Sequence, residues 1–265
     1  MSSLDELLSR MWSDYVAIAP QAERIRALLG ERGERIVNDH IALRGFDLPG
    51  VDIEALDREF VAAGYQAAQS YEFPDKHLLA YHYEHADQRR PRLFISALDV
   101  ASLSSEAQAA IGALVAQVPA GAAAEPMFAT SGRRWSIDHA TYQRLRAESE
   151  YAAWLAAFGF RANHFTISVN HLTTFAGLAE LDAFLTEQGF QLNQSGGEIK
   201  GSPAQLLEQS ATLADEADVP MEDGTFRIPS CYVEFARRYR GADGRLFQGF
   251  IEGSAARLFE STDPR

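Results

Sequence analysis

The chain has 265 residues, 46% hydrophobic and 23% charged, enough apolar material for one large domain with a real core. A formal net charge of −13 repels phosphate backbones and anionic lipid, which argues against nucleic-acid and membrane roles. One cysteine, Cys231, excludes an intramolecular disulfide framework and a Cys-rich zinc site, and no apolar run approaches the ~20 residues of a bilayer span, so the cytoplasm is the expected compartment.

Ser3 with Glu6 three positions later is a capping box and predicts a first helix running toward Ala17. This stretch is amphipathic with early acids and reads as neither a signal nor a transit peptide. Pro20 suits the first position of a second helix that ends before Gly33, both helices packing on the outside of the remaining chain. A β-branched strand is predicted over 36–46, closed by Asp47, Pro49 and Gly50. A helix comes next from about Asp52, with Ile53, Leu56 and Phe60 on one face and Gly64 as terminator. Further strands are expected over 71–85 and 92–98, then helices over 104–118 and 137–159. Residues 162–169 form another strand with a histidine near its start, succeeded by a helix bearing Leu178, Leu181, Phe184 and Leu185 and ending at Gly189. Ser202-Pro203 is expected to open a helix fading near Asp218, and the last strands to cover about 226–239, broken by Pro229, and 245–252, ahead of a short helix over 255–259.

Two of these stretches match. Leu56-Asp57 to Ala63-Gly64-Tyr65-Gln66 aligns with Leu181-Asp182 to Gln188-Gly189-Phe190-Gln191, and each is preceded by a strand carrying a histidine, His40 or His164. Strand, histidine, loop, helix and Gly-aromatic-Gln in one order mark an internal duplication. The expected fold is α+β: one domain over 1–265, with duplicated βαβββ modules over about 34–103 and 161–265 and a helical insertion over about 104–160.

Histidines at equivalent places in paired modules converge on one point if the modules pair about a two-fold axis, and neutral imidazole is a good ligand for Fe, Zn, Ni or Mn. The third ligand is expected from a late strand. Glu234, an acid within Ser230-Cys231-Tyr232-Val233-Glu234-Phe235-Ala236, is costly there unless paired, and Glu252 is its rival. Two histidines and one carboxylate make the facial set of non-haem Fe(II) oxygenases. Arg44 lies four residues after His40, hence on the same strand face, where its planar guanidinium suits a substrate carboxylate. Pairing of Arg44 with a protein carboxylate is the competing role. Ser254, ahead of the expected last helix, is a second candidate anion contact. His77, His82 and His85 lie close together, but 81–85 reads as a solvated hairpin; His139, on an expected helix, has no partner at ligand spacing, and His171 falls in an expected turn.

The segments Asn38-Asp39-His40-Ile41-Ala42-Leu43-Arg44, Asn163-His164-Phe165-Thr166 and Ile228-Pro229-Ser230-Cys231-Tyr232-Val233-Glu234-Phe235-Ala236 resemble the 2-oxoadipate dioxygenase/decarboxylase family, a branch of the vicinal oxygen chelate superfamily. The resemblance implies His40, His164 and Glu234 as metal ligands, Arg44 as a catalytic substrate-carboxylate contact, Fe(II) as cofactor, and a 2-oxo acid and O2 as substrates. It implies conversion of 2-oxoadipate to 2-hydroxyglutarate and CO2 in lysine breakdown. A glyoxalase-like isomerase, a ring-cleaving dioxygenase and a non-catalytic binding protein remain open on the same scaffold.

Overall fold

The computed structural model describes residues 3–262. Helix α1 (Leu4–Val16) starts where Ser3 Oγ accepts the Glu6 N–H at 3.2 Å, and α2 (Pro20–Glu31) starts at its proline. Trp12 and Tyr15 of α1 set their rings 5.2 and 5.0 Å from Phe165, so this pair of helices backs the centre of the sheet.

The first module runs β1 (Asn38–Phe46), α3 (Ile53–Ala62), β2 (Tyr65–Phe73), β3 (Leu78–His85), β4 (Arg92–Leu98). Helices α4 (Ser105–Val115), α5 (His139–Glu148) and α6 (Glu150–Phe158) intervene. The second module runs β5 (Ala162–Ser168), α7 (Leu178–Glu187), β6 (Lys200–Ser202), β7 (Leu207–Ala211), then β10 (Tyr232–Arg238), with a separate hairpin, β8 (Glu216–Met221) and β9 (Gly224–Pro229), inserted before β10. A last helix, α8, covers Glu252–Leu258.

The main sheet has the order β2-β3-β4-β1-β5-β10-β7-β6, two mirrored halves that meet at β1 and β5. Within each half the first and last strands are parallel, β1 with β4 and β5 with β10, while β1 and β5 are antiparallel. Across that central pair His40 faces Thr166, Ile41 faces Phe165 and Ala42 faces His164. A two-fold axis through the Ile41–Phe165 pair exchanges the other two pairs, so the duplication is realised as rotational symmetry. Smaller features repeat as well. Asp57 of α3 accepts from the Tyr83 hydroxyl on β3 at 2.7 Å, and Asp182 of α7 from the Ser210 hydroxyl on β7 at 2.7 Å. Each helix is thereby tied to the third strand of its own module.

Four expectations are corrected. Residues 202–218 are not helical: Pro203 opens a single 3₁₀ turn, Leu206 ends it at φ 65°, and β7 forms next because β10 offers it a ladder of hydrogen bonds. The expected helix over 137–159 is two helices, broken at Ser149, whose extended backbone lets its side chain cap Ala152. Residues 245–252 form no strand among the described residues. Only the bridge between Arg240 and Leu246 pairs there, and Glu252 already begins α8. The stretch 81–85 is not a solvated hairpin, because β3 is an interior strand and its His82 is buried.

Burial raises the Asp182 carboxyl to about 7, against its hydrogen bond from Ser210. An acid raised in the folded state contributes stability that is full below its unfolded pKa and is lost as pH rises through the folded value. Thermal melts of the wild type and Asp182→Asn at pH 6 and pH 9 test this. The wild type should lose about 3–6 °C more than the variant across that interval, and equal losses would show that Asp182 does not titrate there.

Candidate metal centre

His40 and His164 point to the same face of the sheet, their rings 5.5 Å apart and nearly perpendicular. Glu234 on β10 pairs with Thr166 and reaches both, Oε1 lying 3.4 Å from His40 Nε2 and Oε2 3.3 Å from His164 Nε2. One ligand atom from each of the three lies within 4.8 Å of the others, and all three residues are at most 4% exposed. In the first module the position equivalent to Glu234 is Phe94, which pairs with Ala42 as Glu234 pairs with Thr166. The symmetric halves thus supply two histidines but a single carboxylate.

The other ring nitrogens are tied down by the preceding residue in each repeat. Asp39 Oδ1 lies 3.0 Å from His40 Nδ1, and Asn163 Oδ1 lies 3.0 Å from His164 Nδ1. An acceptor there places the proton on Nδ1 and leaves the Nε2 lone pair aimed at the cluster. Asp39 is gripped in turn by Arg238, whose Nε and Nη2 donate to it at 2.8 and 2.9 Å. The same guanidinium donates to the Phe247 and Gly249 carbonyls at 3.2 and 2.7 Å, fixing the segment that lays the Phe250 ring 4.7 Å from His40. Gln209 on β7 donates to Glu234 Oε1 at 2.6 Å.

Burial lowers both imidazole pKa values, that of His164 well below the usual range with the charges of His40 and Arg44 adding to the effect, while Asp39 partly restores His40. Burial also pushes Glu234 up to about 8, against the Gln209 hydrogen bond. Neutral imidazoles are the ligating form, and the buried carboxylate beside them lacks a cation of its own, since Arg238 is committed to Asp39. A divalent cation would supply that charge and favour the ionised carboxylate, so the donor set fits a metal by type and spacing.

Arg44 lies on the same face of β1 and is 1% exposed. It does meet a protein carboxylate, but only through one 3.4 Å contact from Nη1 to Glu150 Oε1, with a second 3.4 Å contact from Nη2 to Thr262 Oγ1 and no partner for Nε. Tyr151 and Trp154 of α6 lie under the guanidinium at 4.8 and 5.1 Å, so the helical insertion walls this end of the cleft. Arg44 is therefore buried, stacked and short of acceptors. The competing carboxylate pairing exists but leaves most of its five donors free.

Glu252 is exposed, accepts the Glu72 N–H at 3.3 Å and lies outside the cluster. Ser254 is buried within α8, and its N–H is consumed by the Ile251 carbonyl at 3.0 Å, so the free amide expected ahead of the helix is absent. His77, His85, His139 and His171 also stand outside the cluster. His82 was set aside by sequence, yet it is buried, hydrogen-bonded to Tyr71 at 2.8 Å and 5.6 Å from the Phe250 ring. The orienting pair Asp39 and Asn163 carried a readable signal, an Asx before each repeated histidine. Gln209, Arg238 and Phe250 carried none, because only tertiary pairing brings them in.

With this geometry in place, similarity to known proteins is informative. Residues 3–245 match the family described as 2-oxoadipate dioxygenase/decarboxylase. A rice protein of that name, chloroplastic/amyloplastic, is 33% identical over 97% of this chain and 78% of its own length. A rice hydroxyglutarate synthase structure in complex with 2-oxoadipate superposes with a TM-score of 0.91 at 33% identity, covering 97% of this chain and 91% of that one. A Shewanella frigidimarina structure described as a hydrolase has a TM-score of 0.91 at 47% identity, covering 95% of this chain and 99% of that one. A Ralstonia eutropha glyoxalase-superfamily structure, 19% identical with a TM-score of 0.79 over 92% of this chain and 84% of its own, shares the fold, which is of the vicinal oxygen chelate type.

The cluster predicts which changes empty the site. His40→Ala, His164→Ala and Glu234→Ala should each bring bound metal in the purified protein from about one per chain to near zero, whereas Glu252→Ala keeps it. Elemental analysis after dialysis reads this directly, and full metal in the first three variants would place the site elsewhere.

Proposed function

Since the chain belongs to the 2-oxoadipate dioxygenase/decarboxylase family, we propose that it converts 2-oxoadipate and O2 to 2-hydroxyglutarate and CO2, holding Fe(II) on His40, His164 and Glu234. The observation that carries this reading is the buried two-histidine, one-carboxylate set with an under-bonded arginine on the same face of β1. Fe(II), held by these three residues, would supply the redox chemistry with O2 and a point of attachment for a 2-oxo acid. Zn, Ni or Mn can occupy the same donors in a purified sample.

The chain's own residues do the rest. Asp39 and Asn163 hold the imidazoles in the ligating tautomer, and Gln209 holds one oxygen of Glu234. Arg44 binds a substrate carboxylate through donors that no protein group uses, and so fixes the position of the reacting carbons. Tyr151, Trp154 and Phe259 surround that guanidinium and exclude water, which strengthens the contact. Cleavage of a 2-oxo acid is a step of amino-acid breakdown, lysine catabolism in this reading. A single, buried thiol at Cys231 suits a reducing compartment such as the cytoplasm.

Oxygen uptake by the Fe(II)-loaded protein against a panel of 2-oxo acids tests the proposal, because an isomerase or a hydrolase on the same centre consumes no O2. Arg44→Gln should retain metal and lose about 30- to 3,000-fold in kcat/KM for 2-oxoadipate, the ~2–5 kcal/mol of a buried charge-assisted contact, with Arg44→Lys recovering only part. Turnover at the wild-type rate in Arg44→Gln would remove the arginine from the reaction.

A further inference from the structure

Around the cluster one buried polar group stands out. Tyr232 is the residue of β10 that pairs with His164, two positions before Glu234 and on the same face of the strand. Its ring stacks on the His164 imidazole at 4.6 Å and 29°, with Ala211 and Leu258 packed on it. The residue is fully buried, yet its hydroxyl has no hydrogen-bond partner. His164 under its ring and Glu234 two positions on along the same face set this side chain against the cluster.

A buried, unpaired phenol destabilises a fold, and phenylalanine would fill the same space without that penalty. Tyr15, on the opposite side of the sheet, shows the usual arrangement: its hydroxyl is buried too and donates to the Tyr232 carbonyl at 2.5 Å. Arg44 Nε is likewise buried without a partner. We propose that the Tyr232 hydroxyl donates a hydrogen bond to an oxygen of the bound 2-oxo acid, making it a second protein contact to substrate besides Arg44. This rests on the proposed 2-oxo acid chemistry. It deepens that proposal by assigning a recognition role to a residue that neither coordinates the metal nor carries charge.

The role makes stability and binding respond in opposite directions to one atom. In Tyr232→Phe, metal stoichiometry should match the wild type and the metal-free protein should melt at the same temperature or higher. The Kd for 2-oxoadipate, titrated into Zn(II)-loaded protein by calorimetry, should rise about 10- to 100-fold. Tyr15→Phe should give the reverse pattern, a lower melting temperature with an unchanged Kd. Equal 2-oxoadipate binding by wild type and Tyr232→Phe overturns the assignment and leaves the functional reading standing. Loss of metal in Tyr232→Phe would make the phenol a ligand and overturn it too. Failure of the wild type itself to bind any 2-oxo acid overturns both together.

Discussion

The antiparallel pairing of β1 with β5 across Ile41 and Phe165 is the contact on which the site depends. Each central strand of this chain presents one histidine to that face, so the second has to come from the other module. Rotating the second module onto the first places His40 and His164 diagonally across the axis, with the ring centroids 5.5 Å apart. Strand alternation then fixes what else faces the cluster. Thr166 and Ala42 fall between the histidines, and Glu234 enters from the next strand because β10 runs parallel to β5. A one-residue slip of either pairing would turn its ligands to the back of the sheet, where Trp12 and Tyr15 pack.

That geometry concentrates electrostatic cost as well as ligands. A carboxylate and two imidazoles, each almost inaccessible to water, are tolerable together only because each has an assigned partner. The repeats solve the same orienting problem with different chemistry, an aspartate before His40 and an asparagine before His164. The charged version requires its own countercharge, and Arg238 provides it from the end of β10. Because the same guanidinium holds the backbone of 247–249, the orientation of His40 and the seating of Phe250 share one support.

The repeat was legible because both copies kept their punctuation: a histidine near the strand start, an aspartate in the helix and a glycine after it. Gly64 and Gly189 do adopt the left-handed φ, 103° and 87°, that such helix ends need. Glu234 was legible from the penalty on an acid in an apolar strand. The segment 202–218 misled because Ser202-Pro203 is a valid helix start, and the strand after it exists only by virtue of β10 next door. His82 was misjudged for a related reason. The polar residues flanking it suggest solvent, but the sheet order puts β3 in the interior. Local chemistry fixed the elements that carry their own caps. The short β7, which exists only against β10, was not legible.

Phe94, standing where symmetry calls for a second glutamate, has a consequence for how such a site can arise. Two identical modules associating as separate chains would obey their own symmetry and present two carboxylates or none. With two, four protein groups would crowd one ion, the closed arrangement of a structural site. Joining the halves into one polypeptide frees them to diverge. Here both halves keep the histidine, while one carries an acid and the other a ring at the matching position, and only the first has an arginine four residues after its histidine. In this chain covalent fusion is what permits one buried cluster to be lopsided, with a carboxylate on one side and a ring on the other.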